Sequence, residues 1–366
     1  MSTSSLVNEE LQPSPTPSQP AGVAGLGVLA LVCAAIATLA MVYAGKLLRD
    51  YNHGGTVSTL VGVVLVAATV VPWIPSVRSF GYVQRRAKLL RDDDLVGARR
   101  IAARGRELAL IGMGYAAAML VVAGVLIFIL ANDGGVASTF FARDPIQQSF
   151  HEVIKAFWTN LWVAIVAEVL VLVFGLLVAI VRMLPGRAGA PLRMIAVVYA
   201  DVFRGIPAII VILLVGFGLP LTGVHQFQSL PLPVLGIIAL TLTYTSYVSE
   251  VYRAGLQSIH PSQSAAARSL GLSYGQTLRT VLVPQAVRRV IPPLLNDFIS
   301  LQKDTALLFT IGVAESLEVA KLFEANFFNL SPILMAAVLF VIITIPQARF
   351  VDYLIERDAK RRAGGS

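Results

Sequence analysis

The sequence predicts an all-α integral membrane protein with about eight transmembrane helices. Of its 366 residues, 56% are hydrophobic and only 14% are charged, which is too little charge for the surface of a soluble protein of this length. The apolar residues form long blocks, and roughly 20 apolar residues in a helix cross about 30 Å of hydrocarbon. The basic residues behind the net charge of +8 lie in loops between these blocks. This placement follows the positive-inside rule and argues against nucleic-acid binding.

Eight apolar blocks are long enough to be read as spans. In chain order they are Val23–Gly45, Val57–Ile74, Leu108–Ala131, Phe157–Met183, Ile195–Leu219, Pro233–Val251, Val290–Thr310 and Ser331–Leu354. The sixth and seventh are polar enough that hydropathy alone would be marginal for them.

The orientation of the spans follows from the basic residues in the loops. The segment from Ser76 to Glu107 holds nine Lys and Arg residues, so we expect it to be cytoplasmic. Alternation from that loop places both termini in the cytoplasm. The first hairpin fits less well, because its predicted external loop carries Lys46 and Arg49.

These features divide the chain into four regions. Residues 1–22 predict a disordered tail, because proline recurs among Ser, Thr and Gln and no basic start of a signal peptide is present. Residues 23–150 form an N-terminal extension with three spans and the basic cytoplasmic loop. Residues 151–358 hold the other five spans, and residues 359–366 form a basic cytoplasmic tail. The basic loop predicts a solvated amphipathic helix near the lipid headgroups, with a lipid-sensing or regulatory role as the alternative.

Few residues offer metal or redox chemistry. The one cysteine, Cys33, cannot form an intrachain disulfide, and the four histidines are scattered without metal-ligand spacing. No Ser/His dyad or paired acids at a catalytic spacing are present, so we predict no catalytic residues and no metal site.

The predicted cytoplasmic segment between the sixth and seventh spans, residues 260–284, has a clear local pattern. Pro261 suits the first turn of a helix, and Gly271 supplies a stop in the left-handed conformation. Ser273 with Gln276 makes a capping box for the next helix. Pro284 predicts a further break.

Three small helix formers, Ala265, Ala266 and Ala267, lie between the predicted start and stop. The segment is therefore predicted to be a short helix, a tight turn and a second helix. A helix of small residues offers a smooth ridge for another protein's groove, whereas an ordinary connection between spans is the alternative interpretation.

This segment resembles the EAA loop of binding-protein-dependent ABC importers. The matching positions are Ala265, Ala266, Ala267, Gly271, Val281, Val283 and Pro284. Ala265 stands where the family usually has glutamate, which removes an ionic contact but not the helical fit. Other blocks resemble polar amino acid permeases in the same order, namely Tyr199–Pro207, Glu250–Ile259, Pro292–Leu307 and Ile311–Glu315. The resemblance covers about residues 155–358 and leaves the extension out.

The resemblance implies a type I importer transmembrane domain of five core helices, in a prokaryotic cell membrane. It implies an extracytoplasmic substrate-binding protein, a second permease subunit that is identical or paralogous, and separate ATP-binding subunits. The substrate would be an amino acid of the glutamate, glutamine, arginine or histidine class. ATP and Mg²⁺ would bind the partner, because Gly45-Lys46 lacks the rest of a P-loop. The chain itself would be no enzyme and would hold no cofactor.

Polar residues inside the spans are candidates for the substrate path. In the seventh span they are Asn296, Asp297, Ser300, Lys303 and Asp304, which lie within an arc of ~120° on a helix. Such a stripe could bind a zwitterion, with the carboxylate toward Lys303 and the ammonium toward Asp304 or Asp297. A structural ion pair between spans is the alternative.

Glu168 in the fourth span is a further path candidate, binding substrate ammonium or pairing with Lys303. Asp201 and Arg204 have the spacing of a helical ion pair with a mainly structural role.

Two rival functions remain open from the sequence. One is a permease of the same architecture for another solute, such as methionine or an organic ion. The other is a channel or ion-coupled transporter that works without ATP.

Overall fold

A computed structural model describes residues 22–51, 55–184 and 186–363. These residues are nearly all helical and contain no strand, so the predicted all-α class is confirmed. The predicted disordered tail lies outside the described residues up to position 21, as do positions 364–366 of the basic tail. The chain divides into two compact units, one ending at Ser138 and the other beginning at Thr139.

The helices follow one another with short connections. In chain order the α-helices are α1 (Val23–Tyr51), α2 (Thr56–Ala68), α3 (Val70–Arg91), α4 (Leu95–Phe140), α5 (Arg143–Arg182), α6 (Ala190–Gly205), α7 (Ala208–Leu213), α8 (Leu219–Leu221), α9 (His225–Gln228), α10 (Leu232–Gln257), α11 (Pro261–Ser269), α12 (Tyr274–Thr277), α13 (Val283–Asp304), α14 (Ser316–Phe327) and α15 (Ser331–Ala363). Wider π turns cover Leu214–Gly218 and Leu278–Leu282, and a 3₁₀ helix covers Thr305–Ile311.

Several of these helices can cross a bilayer by length and composition. Within the described residues, five helical stretches qualify: Ala24–Tyr51, Ser58–Arg91, Leu95–Arg182, Leu232–Gln257 and Ser331–Arg357. The third of these contains α4 and α5, which are two separate predicted spans. The bent pair Ala190–Gly205 and Ala208–Leu221 is a sixth candidate. The predicted seventh span, α13, is too polar to qualify on these criteria.

Small residues form the contact surfaces of the N-terminal unit. α1, α3 and α4 each bury a stripe of mostly small side chains, most of them three or four residues apart. The buried positions include Ala30, Ala34, Ala37, Met41 and Ala44 in α1, Ser58 in α2, Thr69 between α2 and α3, Pro72, Pro75, Ser76 and Ser79 in α3, and Ala98, Ala102, Gly105, Ala109, Gly112, Ala116 and Ala123 in α4. Small side chains let helix backbones approach closely, which is how helices associate where water supplies no driving force.

Hydroxyl and indole groups join these helices through short hydrogen bonds. Ser79 Oγ donates to the carbonyl oxygen of Gly105 at 2.9 Å, and Trp73 Nε1 donates to Thr38 Oγ1 at 2.9 Å. The opposite faces of the helices carry exposed aliphatic side chains, as expected of surfaces in contact with lipid.

The basic loop of this unit is a helical hairpin that continues the spans. α3 and α4 run on as helices to a turn at Asp92–Asp94, where Asp94 Oδ1 accepts a hydrogen bond from the Gly97 amide at 2.8 Å. That bond satisfies one of the free amides at the start of α4. The basic side chains therefore sit along both arms of a hairpin rather than on a separate helix.

The second unit is organised around α5 and α10. Its buried core includes Val163, Val171, Ile212, Leu240, Val248, Leu301 and Leu308. Gly255 of α10 lies against α13, because a Cβ built on it would be 2.1 Å from Val290 Cγ1. The glycine thus allows α10 to approach closely the helix that carries most of the predicted path residues.

The predicted fifth span is not one continuous helix. Its axis turns by 105° between α6 and α7. Ile206 adopts an extended conformation with ψ 129° before Pro207, which is the backbone region favoured by a residue preceding proline. Pro207 also lacks the amide hydrogen that would continue the helix. The bend places the end of α6 beside α10 and α13.

Candidate functional site

The segment between α10 and α13 has the predicted helix, turn and cap. The His260 ring accepts a hydrogen bond from the Ser262 amide at 3.2 Å at the start of α11. α11 ends where Gly271 takes φ +85°, a left-handed conformation that favours glycine. The amide of Leu272 then bonds to the carbonyl of Ala267 at 3.3 Å, and that of Gly271 to the carbonyl of Arg268 at 3.0 Å. This pair of bonds is a Schellman motif.

The capping box is formed as the sequence predicts. The Ser273 amide donates to Gln276 Oε1 at 2.9 Å, and the Gln276 amide donates to Ser273 Oγ at 3.3 Å. By contrast, Pro284 does not break the helix. It lies in the first turn of α13, and the preceding π turn, residues 278–282, keeps the backbone helical. The predicted break is wrong because the wider π turn just before Pro284 keeps the backbone helical where the proline supplies no amide hydrogen.

One face of this segment is small, apolar and exposed. Ala265 and Ala266 are exposed, whereas Ala267 is buried at 5% relative exposure. Leu270 at the turn is 84% exposed. The end of the capped helix thus presents an exposed leucine beside two exposed alanines.

The polar stripe of the seventh span borders a pocket in the second unit. A cavity of about 430 Å³ lies between the bend after α6, α10 and α13. Its lining residues are Arg204, Gly205, Ile206, Pro207, Ala208, Thr243, Tyr244, Tyr247, Asp297, Ser300 and Asp304. Of the predicted path residues, three therefore line the pocket: Asp297, Ser300 and Asp304.

Two predicted path residues of the same helix lie outside that lining. Asn296 and Lys303 are exposed, and neither borders the pocket. Within residues 22–51, 55–184 and 186–363, no ion pair joins Lys303 to Glu168. The pairing of these two residues, one of the sequence-based alternatives, is absent from the structure.

The carboxylates around the pocket are only partly satisfied. Tyr244 Oη donates a hydrogen bond to Asp304 Oδ2 at 2.8 Å. Asp297 Oδ2 and Glu168 Oε2 are buried and have no protein hydrogen-bond partner. Glu168 lies near enough to Asp297 for the two charges to repel. A buried carboxylate oxygen without a donor is costly, so these oxygens are suited to receive a donor from outside the protein.

An ion cluster that the sequence did not predict lies beside the pocket. Glu250 of α10 binds Arg182 at 2.7 Å, binds Arg253 within its own helix, and lies 3.8 Å from Arg204. The predicted pair of Asp201 with Arg204 is not formed. Glu250 takes its place because the ends of α5, α6 and α10 converge there. One carboxylate thus connects three helices and holds the arginine that borders the pocket.

A second buried network joins α5 to the start of α14. Asn160 Nδ2 donates to Glu315 Oε2 at 2.9 Å and to Thr305 Oγ1 at 3.1 Å. The Glu315 carboxylate also accepts hydrogen bonds from the Leu317 and Glu318 amides. Burial raises the pKa of Glu315, and these hydrogen bonds partly oppose the rise. The network is fully satisfied, so its role is to fix the first turn of α14.

Three residues in or beside the pocket, Arg204, Tyr244 and Glu250, are not among the path residues predicted from the sequence. From the sequence, Arg204 and Glu250 appear only in blocks of family resemblance or in a local pair, and Tyr244 is not a candidate. Their common position beside Asp297 and Asp304 depends on three helices meeting. No group of His, Cys, Asp and Glu that could hold a metal occurs among the described residues.

Comparison with known proteins gives a consistent result. The pattern of the family described as "Binding-protein-dependent transport system inner membrane component" matches residues 171–359, more than half of the chain. The glutamate transport system permease protein of Corynebacterium glutamicum is 34% identical over 57% of this chain and 95% of its own length. The arginine transport system permease protein of Bacillus subtilis is 30% identical over 57% of this chain and 92% of its own length.

A solved structure, described as the crystal structure of an amino acid ABC transporter with histidines, matches with a TM-score of 0.53. It is 27% identical and covers 58% of this chain and 96% of that chain. The family match begins at residue 171 and so leaves out the N-terminal unit. The chain therefore belongs to the family of binding-protein-dependent transport system inner membrane components, and within it to the amino-acid ABC transporter permeases.

Proposed function

We propose that this chain is the permease subunit of an ATP-driven importer for polar amino acids. Two such subunits, identical or paralogous, would form the path in a prokaryotic cell membrane, with both termini of this chain in the cytoplasm. A soluble protein would deliver the substrate from outside. Separate subunits would bind ATP and Mg²⁺, and the chain itself would catalyse nothing. The observation that supports this most directly is the capped, exposed segment around Gly271 next to helices that border a charged pocket.

The segment of α11 would be the contact with the ATPase. Ala265, Ala266 and Ala267 form a helix of small side chains, and Gly271 ends it with Leu270 projecting beside the turn. Pro284 lies in the first turn of α13, so the segment passes directly into the helix that carries Asp297 and Asp304. Movement of α11 would therefore be transmitted to the pocket. With alanine at position 265, the docking would depend on shape rather than on an ion pair.

The polar face of α13 would line the substrate path. A charged side chain facing lipid costs about 2.5–3.5 kcal/mol on insertion scales. Asn296 and Lys303 are exposed on α13, and Ser300 and Asp304 are partly exposed beside them. A spanning helix with this face needs water or a second subunit against it. Together with Glu168 and Asp297, these residues would form the path.

The pocket would hold the zwitterionic part of an amino acid. Asp297 and Asp304 can accept hydrogen bonds from an ammonium group, and Arg204 can donate two parallel bonds to a carboxylate. The sequence assigned the carboxylate to Lys303. Arg204 fits that role better, because it lines the pocket and Lys303 does not.

Replacement of Gly271 tests the coupling. We expect Gly271→Val to keep ATP hydrolysis but to lose most uptake per ATP, because a β-branched residue at φ +85° is strained by about 1–3 kcal/mol and would reshape the turn. The measurement is ATP hydrolysis and amino-acid uptake by proteoliposomes that contain the chain with its copurifying partners.

Gly275→Ala is the matched control, since its added Cβ would meet nothing within 4 Å and its φ is not positive. Normal coupled uptake by Gly271→Val would contradict the coupling role. Uptake that persists without the ATPase would favour a channel or ion-coupled transporter instead. Uptake of methionine or an organic ion in preference to polar amino acids would replace the substrate assignment.

A further inference from the structure

The pocket beside α13 has an unequal number of acidic and basic side chains. Asp297 and Asp304 line it, and Arg204 is the one Lys or Arg side chain in its described lining. The lining therefore has one more negative charge than positive charge. This imbalance bears on which amino acid the proposed importer carries, and the inference below rests on that proposed function.

The charged groups around the pocket have both signs, but none of the surrounding cations is part of the lining. Glu168 adds a carboxylate near Asp297. The Glu250 carboxylate lies 3.8 Å from the Arg204 guanidinium and so partly neutralises it. Arg182 and Arg253 are bound to Glu250 and do not line the pocket. The positive charge of Lys303 makes the electrostatic potential at its chain neighbour Asp304 less negative, but the Lys303 side chain is exposed and is not part of the lining.

The remaining lining groups suit a cation. Tyr244 and Tyr247 present aromatic rings, and the Arg204 guanidinium already lies 5.9 Å from the centre of the Tyr247 ring. Aromatic faces attract guanidinium and ammonium groups through the ring quadrupole. Ser300 and Thr243 already donate their hydroxyl hydrogens to the Asn296 and Ala239 carbonyls, so their oxygens can accept a hydrogen bond from a cation.

Charge balance then separates the classes of substrate. The α-carboxylate of an amino acid requires Arg204, and the α-ammonium requires one aspartate. The other aspartate remains without a counter-charge when the side chain of the substrate is neutral. An acidic side chain would add a fourth carboxylate, after the two aspartates and the α-carboxylate, beside a single arginine. Uncompensated buried charges are strongly unfavourable and are a common means of rejecting a ligand.

We infer that the substrate is an amino acid with a positively charged side chain, such as a guanidinium or ammonium group, held by the pocket of Asp297, Asp304 and Arg204. The cavity of about 430 Å³ is within the usual range of small-molecule sites.

A pair of ligands that differ mainly in charge tests this inference. L-Arginine and L-citrulline have nearly the same shape, but only arginine carries a side-chain charge. We expect the chain, purified with its partner membrane and ATPase subunits and without the soluble binding protein, to bind labelled arginine about tenfold or more tightly than citrulline. Omission of the soluble protein ensures that its own selectivity does not enter the result.

Substitution of one pocket carboxylate sharpens the test. Asp297→Asn should bring the ratio of the two dissociation constants toward one, mainly by weakening arginine binding. Asp304→Asn serves as the second variant should Asp297→Asn fail to fold. Asp352→Asn makes the same charge change at an exposed pair on α15 and should leave the ratio unchanged.

The outcomes separate this inference from the proposed function. Citrulline, glutamine or glutamate bound as tightly as arginine would overturn the cationic class while leaving an amino-acid importer in place. A preference for arginine that survives both aspartate substitutions would also overturn it. Failure to bind or transport any amino acid would remove the proposed function as well.

Discussion

The two units of this chain build membrane helices in different ways. The unit up to Ser138 packs long helices through stripes of alanine, glycine and serine, and its interhelical hydrogen bonds end on hydroxyls and carbonyls. The unit from Thr139 buries carboxylates and arginines, and it bends a helix pair by 105° beside them. Small residues suffice to hold helices together in lipid. Ionisable side chains within spans are costly, so they mark either a polar path or, as with Glu250, an ion pair that joins helices.

Helix regularity differs less between the units. α1 runs for 29 residues without interruption, but α2 and α3 are separated at Thr69, α3 contains Pro75, and α4 is kinked from Ala131 to Gly134. In the second unit, one π turn follows α7 and another precedes α13, and α13 contains Pro292 and Pro293. Prolines and π turns free backbone groups and permit helix movement. The second unit therefore combines a polar pocket with π turns in the helices beside it.

The largest effect is expected where the second unit depends on charge. Glu250→Gln should destabilise the protein by about 3 kcal/mol, because Arg182 is 9% exposed and would lose its carboxylate. The measurement is the midpoint of thermal unfolding in detergent, followed by tryptophan fluorescence.

Asp352→Asn is the control, because the Arg349–Asp352 pair is exposed and such pairs contribute little. A Glu250→Gln protein as stable as this control would show that the ion cluster is not structural, and the contrast between the units would then rest on the pocket alone.

An intermediate effect is expected where the first unit depends on small side chains. Ala109→Leu should destabilise the protein by about 2 kcal/mol, since Ala109 is 0% exposed within the stripe of α4 and a larger side chain would separate the helices. The same unfolding measurement applies.

Leu110→Ala is its neighbouring control, because Leu110 is 51% exposed and should matter little. Equal effects of the two substitutions would contradict packing through small residues and would weaken the comparison.

The smallest effect is expected at the capping box of the coupling segment. Ser273→Ala should destabilise the start of α12 by about 1 kcal/mol, because the Gln276 amide loses its acceptor. Faster amide hydrogen exchange of residues 274–277 would report it.

Ser269→Ala removes a hydroxyl that donates back to the Ala265 carbonyl inside α11, and it should leave those amides unchanged. Exchange rates that are equal in both variants would show that tertiary contacts, rather than the cap, fix this segment.

Local signals in the sequence predicted local structure well. Gly271 takes the left-handed conformation, and Ser273 with Gln276 forms the cap, because both features depend only on neighbouring residues. Predictions fared worse where two interactions competed. Asp201 has the right spacing for Arg204, yet Glu250 binds that arginine from another helix. A proline such as Pro284 suggests a break until its place in a helix is known.

The sequence by itself determined that the chain is an all-α membrane protein and which segment forms the capped turn. Hydrophobic length and capping are properties of contiguous residues, so they can be read without a structure. Only the tertiary structure decided that Arg204, Tyr244 and Asp304 share one pocket and that Lys303 lies outside it. These residues lie on different helices, and the bend after α6 and the close approach of α10 and α13 bring them together.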